Sequence, residues 1–136
     1  MSMTSVNDDE ITVSAYEEAL QRRAVKWLDE AHPRMLRHGT LGNKLAGTAA
    51  QRKRRGYLNK LAGFKKGWPD LIIIKRGNSR RAGLAIEFKR TGGRQTKEQK
   101  DVQQEMEAEG WTYALVHSLQ EFQSAVALHM PVVVEP

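Results

Sequence analysis

The chain has no cysteine. That excludes disulfide frameworks and cysteine-ligated zinc, and it fits a reducing compartment. No apolar run exceeds four residues, Leu71–Ile74 being one of them, well short of the roughly 20 needed to cross a bilayer. No basic-then-apolar leader opens the sequence. A cytoplasmic location with no membrane partner is the expectation. No internal repeat or low-complexity segment is evident. The most informative deficit is of acid. Between Ala31 and Lys97 the only acidic residues are Asp70 and Glu87, where an even spread of the sixteen in the chain would place about eight. The same span holds eighteen of the twenty-two Lys and Arg residues, the other four being Arg22, Arg23, Lys26 and Lys100.

With 136 residues, a formal charge of +6 and a pI near 9.8, the chain is long enough for one core and one domain. A basic field of this kind suits a polyanion such as DNA or RNA. The plainer reading is a solvated basic surface, but it leaves unexplained why the two acids sit where they do.

Residues 1–13 are polar and read as a flexible tail. A helix is predicted from Ala15 to Ala31, capped by Ser14, with Leu20, Ala24, Trp27, Leu28 and Ala31 on its buried face. Pro33 ends it. Residues 34–66 are interrupted by five glycines and read as loop, apart from a short helix near Tyr57–Ala62 and the basic run Arg52–Arg55. Strands are predicted at Asp70–Lys75 and Leu84–Arg90, separated by Gly77, Asn78 and Ser79, which supply turn chemistry. A helix follows, capped by Thr96 with Gln99 in the capping-box position and stopped at Gly110. Trp111–His117 reads as a third strand, parallel to the second because a helix intervenes. Ser118 caps a last helix over Leu119–Leu128, with Leu119, Phe122, Ala125 and Val126 on its apolar face. Residues 131–136 form a tail or an edge strand. The predicted fold class is α/β, a small mixed β-sheet flanked by helices.

Strand alternation puts Glu87 and Lys89 on one face, and Ile86 and Phe88 on the other. A hairpin centred between Asn78 and Ser79 sets Asp70 opposite Glu87. Two facing carboxylates repel, and a divalent cation removes the objection. Hard oxygen donors without thiols favour Mg2+ or Mn2+, with the main-chain carbonyl of Phe88 as a further ligand. Such a metal would polarise a phosphate and acidify an attacking water, and Lys89 could orient that water or stabilise developing charge. An ordinary salt bridge from Lys89 to Glu87 or Asp70 is the alternative.

The run Gly67-Trp68-Pro69-Asp70, an apolar strand, a turn, Glu87-Phe88-Lys89 and a helix resembles the PD-(D/E)xK nuclease superfamily, whose core is restriction-endonuclease-like. Within it the chain resembles the VRR-NUC family from about residue 16 to residue 123. Glu18 and Gln21 are similar to the signature of that family's first helix. Residues Gly63 to Leu71 resemble its approach to the metal-binding aspartate. Glu87 to Arg90, Gly93-Arg94 and Thr96 to Gln99 resemble its catalytic strand and the helix start behind it. Gly110 to Val116 and Ser118 to Phe122 resemble its closing strand and helix. The resemblance implies one nuclease domain over residues 14–130. In it Asp70 and Glu87 are metal ligands and Lys89 is the catalytic lysine. Glu18, or else Glu17, approaches the metal directly or through water, and Gln99 supports the site. Arg52, Lys53, Arg54, Arg55, Lys65, Lys66, Arg90, Arg94 and Lys97 become candidates for phosphate contacts. The resemblance further implies the minimal stand-alone form found in bacteria and their viruses. That form is a homodimer acting on branched DNA such as four-way junctions, without a small-molecule cofactor.

Two other classes compete. A non-catalytic nucleic-acid-binding module has no use for two carboxylates in a basic groove. A histidine-metal nuclease would draw on His32, His38, His117 or His129, but no His–Asn–His or HExxH spacing supports it. Among nucleases, flaps or ends are the alternative substrates.

Overall fold

A computed structural model describes residues 5–40, 48–63 and 65–131, with side chains described from residue 15 onward. The chain runs α1 (Ser5–Ala31), β1 (Leu36–Gly39), α2 (Ala49–Leu61), β2 (Leu71–Ile74), β3 (Leu84–Phe88), α3 (Lys97–Ala108), β4 (Thr112–Val116) and α4 (Leu119–His129), with one 3-10 turn at Asn78–Arg80. The four strands form one sheet in the order β1-β2-β3-β4. The first two pairings are antiparallel and β3 with β4 is parallel, as expected for strands joined through a helix. The predicted mixed α/β architecture is thus the observed one.

Alternation along the strands builds two apolar layers. Leu71, Ile73, Leu84, Ile86, Phe88 and Val116 face α1 and α4, where they meet Leu20, Ala24, Leu28, Phe122 and Val126. Ile72 and Ala85 face α3 and meet Val102 and Met106, with Trp111 and Tyr113 packed alongside. Phe122 lies at the centre of the first layer, its ring 5.8 Å from that of Phe88 and 5.9 Å from that of Trp27. β3 is the central strand, and all five of its residues are buried.

Three expectations need correction. The first helix begins at Ser5 rather than Ala15, so residues 5–13 are helical and Ser14 lies within the helix rather than capping it. Ala31 is exposed at its end. Segment 34–66 is less loop-like than its glycines suggested. Leu36–Gly39 adds an edge strand to β2, and a full helix spans Ala49–Leu61 behind a Thr48/Gln51 capping box. The predicted edge strand at the C-terminus falls outside the described residues from Val132 on. Among the described residues no helix is long and apolar enough to cross a membrane.

Gly67 fixes how the chain enters β2. Its φ is +88°, and a Cβ there would lie 2.5 Å from the carbonyl carbon of Glu98 at the start of α3. Both the conformation and the close approach require glycine. Gly92 also has a positive φ, +81°, but nothing lies near its missing Cβ. Gly92→Ala is expected to cost about 1 kcal/mol through backbone strain alone. Gly67→Ala is expected to cost roughly 2–4 kcal/mol because the clash is added. Urea unfolding of the two variants measures the difference, and equal losses would contradict the contact.

Candidate active site

Hairpin register determines what meets at the site. Leu71 pairs with Ile86, Ile72 with Ala85 and Ile73 with Leu84. Continued by one residue, this register sets Asp70 opposite Glu87, as the turn-centre argument predicts. The two carboxylates lie at the same end of β2 and β3, on the α3 side of the sheet.

Asp70 is held from three directions. Its Oδ2 accepts a hydrogen bond from Phe88 N (2.8 Å). Its carbonyl accepts from Thr40 N (2.8 Å) and from Gln21 Nε2 (3.1 Å). Thr40 Oγ1 also donates to Pro69 O (3.1 Å). Thus α1, the residue after β1, and β3 together fix the backbone and side chain of one aspartate. Phe88 N–H points to the Asp70 side. A strand residue projects its carbonyl to the same side as its N–H, so the Phe88 carbonyl faces that way too.

Glu87 is only 1% exposed. Its Oε2 accepts from Gln95 Nε2 (3.0 Å), and the same amide donates to Gln103 Oε1 (2.8 Å). Its Oε1 and the buried hydroxyl of Tyr113 on the adjacent strand both lack a hydrogen bond of good geometry, although the two groups lie close enough for the phenol to act on the carboxylate. Burial pushes the Glu87 carboxyl above the usual range. The charge of Asp70 adds to the rise, while the Gln95 bond and the charge of Lys89 oppose it. The Tyr113 phenol is pushed up by burial and by the negative charge of Glu87. Lys89, half-buried, shares the Glu87 side of the strand. Among the described residues no ion pair within 4 Å engages it, although its charge acts on Glu87.

A buried carboxylate oxygen without a partner is costly, and groups of this kind cluster where a ligand or metal completes them. The donor set here is two carboxylates and a carbonyl, without sulfur or imidazole. That chemistry fits Mg2+ or Mn2+, which accept one or two protein carboxylates and keep several waters. Among the described residues, no three His, Asp or Glu side chains gather into a larger cluster.

The other candidates divide. Glu18 pairs with Arg22 (2.7 Å) and lines a cavity with Gln21 and Thr40, while Glu17 Oε1 accepts from Arg90 N (3.2 Å) at the end of β3. Gln99 spends its side chain on the cap of α3, accepting from Thr96 N (2.8 Å). Gln95, which sequence reasoning passed over, is the glutamine that reaches Glu87. It sits in an irregular stretch just before the cap, where no periodicity marks a side chain as inward-facing. Arg90, Arg94 and Lys97 are exposed around that stretch, as are Lys65 and Lys66, the latter 3.7 Å from Glu98. Arg52, Lys53, Arg54 and Arg55 lie on α2, which buries none of its residues. Of the four histidines, His129 is buried at the opposite end of β2, bonded to Thr112 Oγ1 (3.0 Å) and Lys75 O. His117 pairs with Glu121, and His32 packs edge-on against Trp27.

The raised Glu87 pKa has a signed consequence. The folded protein holds that proton to higher pH than the unfolded chain, so stability falls as pH rises from the ordinary value of 4.5. Glu87→Gln removes the penalty and keeps an acceptor for Gln95. In EDTA, the variant's advantage in urea unfolding should be constant below about pH 4.5. Above that it should grow by about 1.4 kcal/mol per pH unit until the folded-state pKa is passed. An advantage that stays flat from pH 4 to 8 would show that burial does not disfavour the charge.

Comparison with known proteins places this geometry in a family. A solved structure described as a VRR_NUC domain protein superposes with a TM-score of 0.56 at 24% identity, over 85% of this chain and 92% of the other. At that identity the likeness speaks for the fold. No curated protein matches the sequence. The VRR-NUC domain family matches residues 8–120, a span that contains most of α1, the whole sheet and every residue described around Asp70 and Glu87. The chain therefore belongs to the VRR-NUC family, whose domain has a nuclease-type fold.

Proposed function

We propose that the chain is a metal-dependent endonuclease that hydrolyses phosphodiester bonds in branched DNA, four-way junctions among them, as a homodimer. The observation that carries the metal-dependent part is the buried Glu87 carboxylate, one oxygen of it without a well-formed hydrogen bond, opposite Asp70 and beside Lys89 within a basic field. The branched substrate and the dimer rest on the family likeness. Exposed α2, with Tyr57, Leu58 and Leu61 turned to solvent, is where we place the contact between copies.

Asp70 and Glu87, with the carbonyl of Phe88, would hold Mg2+ or Mn2+. Bound there, the ion would polarise the scissile phosphate and lower the pKa of the attacking water. The chain's own residues do the rest. Thr40, Gln21 and Phe88 N keep Asp70 from turning away. Lys89, on the Glu87 side of the strand and without a close ion pair among the described residues, would orient the nucleophile and stabilise charge building on the phosphate oxygens. Exposed Lys65, Arg90, Arg94, Lys97 and the Arg52–Arg55 run attract the backbone and set the salt dependence of binding. Buried Glu87 and half-buried Asp70 lie deeper than the exposed bases, which weakens their repulsion of the incoming strand at the surface.

Cleavage of labelled four-way junction, flap and linear duplex DNA tests this. The wild type should cut the junction with Mg2+ or Mn2+ and stop in EDTA. Asp70→Ala and Lys89→Ala should each lose roughly 10²–10³-fold in rate or more, while still retarding DNA in gels with strong salt dependence. Light scattering should return the mass of two chains. A wild type that binds but never cuts with either metal would make the chain a non-catalytic binder. Variants as active as the wild type would remove Asp70 and Lys89 from the chemistry.

A further inference from the structure

Behind Glu87 lies a polar relay that the proposed reaction does not by itself require. Gln95 Nε2 stands 3.0 Å from Glu87 Oε2 and 2.8 Å from Gln103 Oε1. A carboxylate oxygen only accepts, so Gln95 must present its amide nitrogen there, and that nitrogen has two hydrogens to give. One goes to Glu87 and the other to Gln103, which leaves the amide in one orientation. Gln103 is half-buried on α3, between the buried residues Val102 and Met106 in sequence. The other carboxylate oxygen, Oε1, makes no well-formed hydrogen bond, and the Tyr113 hydroxyl acts on the same carboxylate.

We infer that Gln95, held by Gln103, is the positioning residue that fixes the rotation of the Glu87 carboxylate and so sets how tightly the site binds its metal. The inference rests on the metal-site reading above and extends it to two residues outside the ligand set. Without the relay, Glu87 would be free to turn about its last bond, and the oxygen directed at the ion would no longer be pre-set. Hydrogen bonds to the outer side of a ligand typically change metal affinity by 10–100-fold. The relay has a second consequence. Gln95 follows directly on Arg90–Arg94, whose turn is closed by the bond from Gly93 N to Arg90 O (2.8 Å). The stretch proposed to contact phosphate is therefore tied to a metal ligand by one side chain.

The test is Mn2+ binding to the DNA-free protein, measured by titration calorimetry and by the resonance of free Mn2+. It compares wild type, Gln95→Leu, Gln103→Leu, Gln103→Glu and, as a site-loss control, Asp70→Ala. Gln95→Leu and Gln103→Leu should weaken Mn2+ binding about tenfold, and Gln103→Glu, which keeps the acceptor, should stay near the wild type. In cleavage assays the Mn2+ concentration for half-maximal rate should rise by the same factor, with the rate at saturating Mn2+ within about twofold. DNA retardation in EDTA should not change. If both leucine variants bind Mn2+ like the wild type while Asp70→Ala does not, the relay does not position Glu87 and the inference is wrong, with the metal site intact. If the wild type itself binds no Mn2+, the site reading fails and takes the inference with it. Should Gln95→Leu not fold, the contrast between Gln103→Leu and Gln103→Glu decides.

Discussion

Burial of a carboxylate at the end of the central strand is the constraint to which the rest of this structure answers. β3 has neighbours on both edges and helices on both faces, and four of its five residues are apolar. The fifth is Glu87. Desolvation makes its charge unfavourable, the nearby charge of Asp70 adds to that, and one amide bond and the charge of Lys89 compensate in part. As a device for stability this is poor, since apolar residues of like volume usually serve a core better than buried charge. As a device for holding a small cation it is coherent. Asp70 cannot swing away, because β3 takes its side chain and Thr40 and Gln21 take its carbonyl.

The parts of the molecule that answer to a core were legible in the sequence. The parts that answer only to neighbours were not. Apolar residues at Leu71–Ile74 and Leu84–Phe88 announced the central strands, while the register was open in the sequence: a turn centred between Asn78 and Ser79 was one choice, and the observed pairing of Leu71 with Ile86 agrees with it. Thr96 with Gln99 and Ser118 gave the starts of α3 and α4 through capping chemistry alone. β1 carried no such signal. Leu36, Arg37, His38 and Gly39 show neither alternation nor an apolar run, and three of the four are exposed. They form a strand because β2 offers an unpaired edge. α2 was underestimated for the same reason, since it buries nothing and its periodicity points at no core. The facing of Asp70 and Glu87, local to two strands, was legible, and the reach of Gln95, which depends on a loop folding back, was not.

Helix phase separates the two adjacent acids on α1. Successive helical residues turn by about 100°. Leu20, Ala24 and Leu28 form the stripe buried against the sheet. Glu17 and Gln21, four apart, form a row beside that stripe, and both reach strand backbone: Gln21 at Asp70 O, Glu17 at Arg90 N. Glu18 and Arg22 form the next row outward and pair with each other. One helix face therefore packs the core while its margin grips the strand ends that carry the two acids. Turning α1 by a single residue would present Arg22 where Gln21 stands and would take Leu20 out of the core at the same step. The Asp29–Arg37 ion pair ties the far end of α1 to β1, the strand that leads directly to Thr40. Core packing and site geometry are thus set by the same rotation of one helix. For that reason the margin of α1, at Glu17 and Gln21, is what joins this helix to the strand ends that carry Asp70 and Glu87.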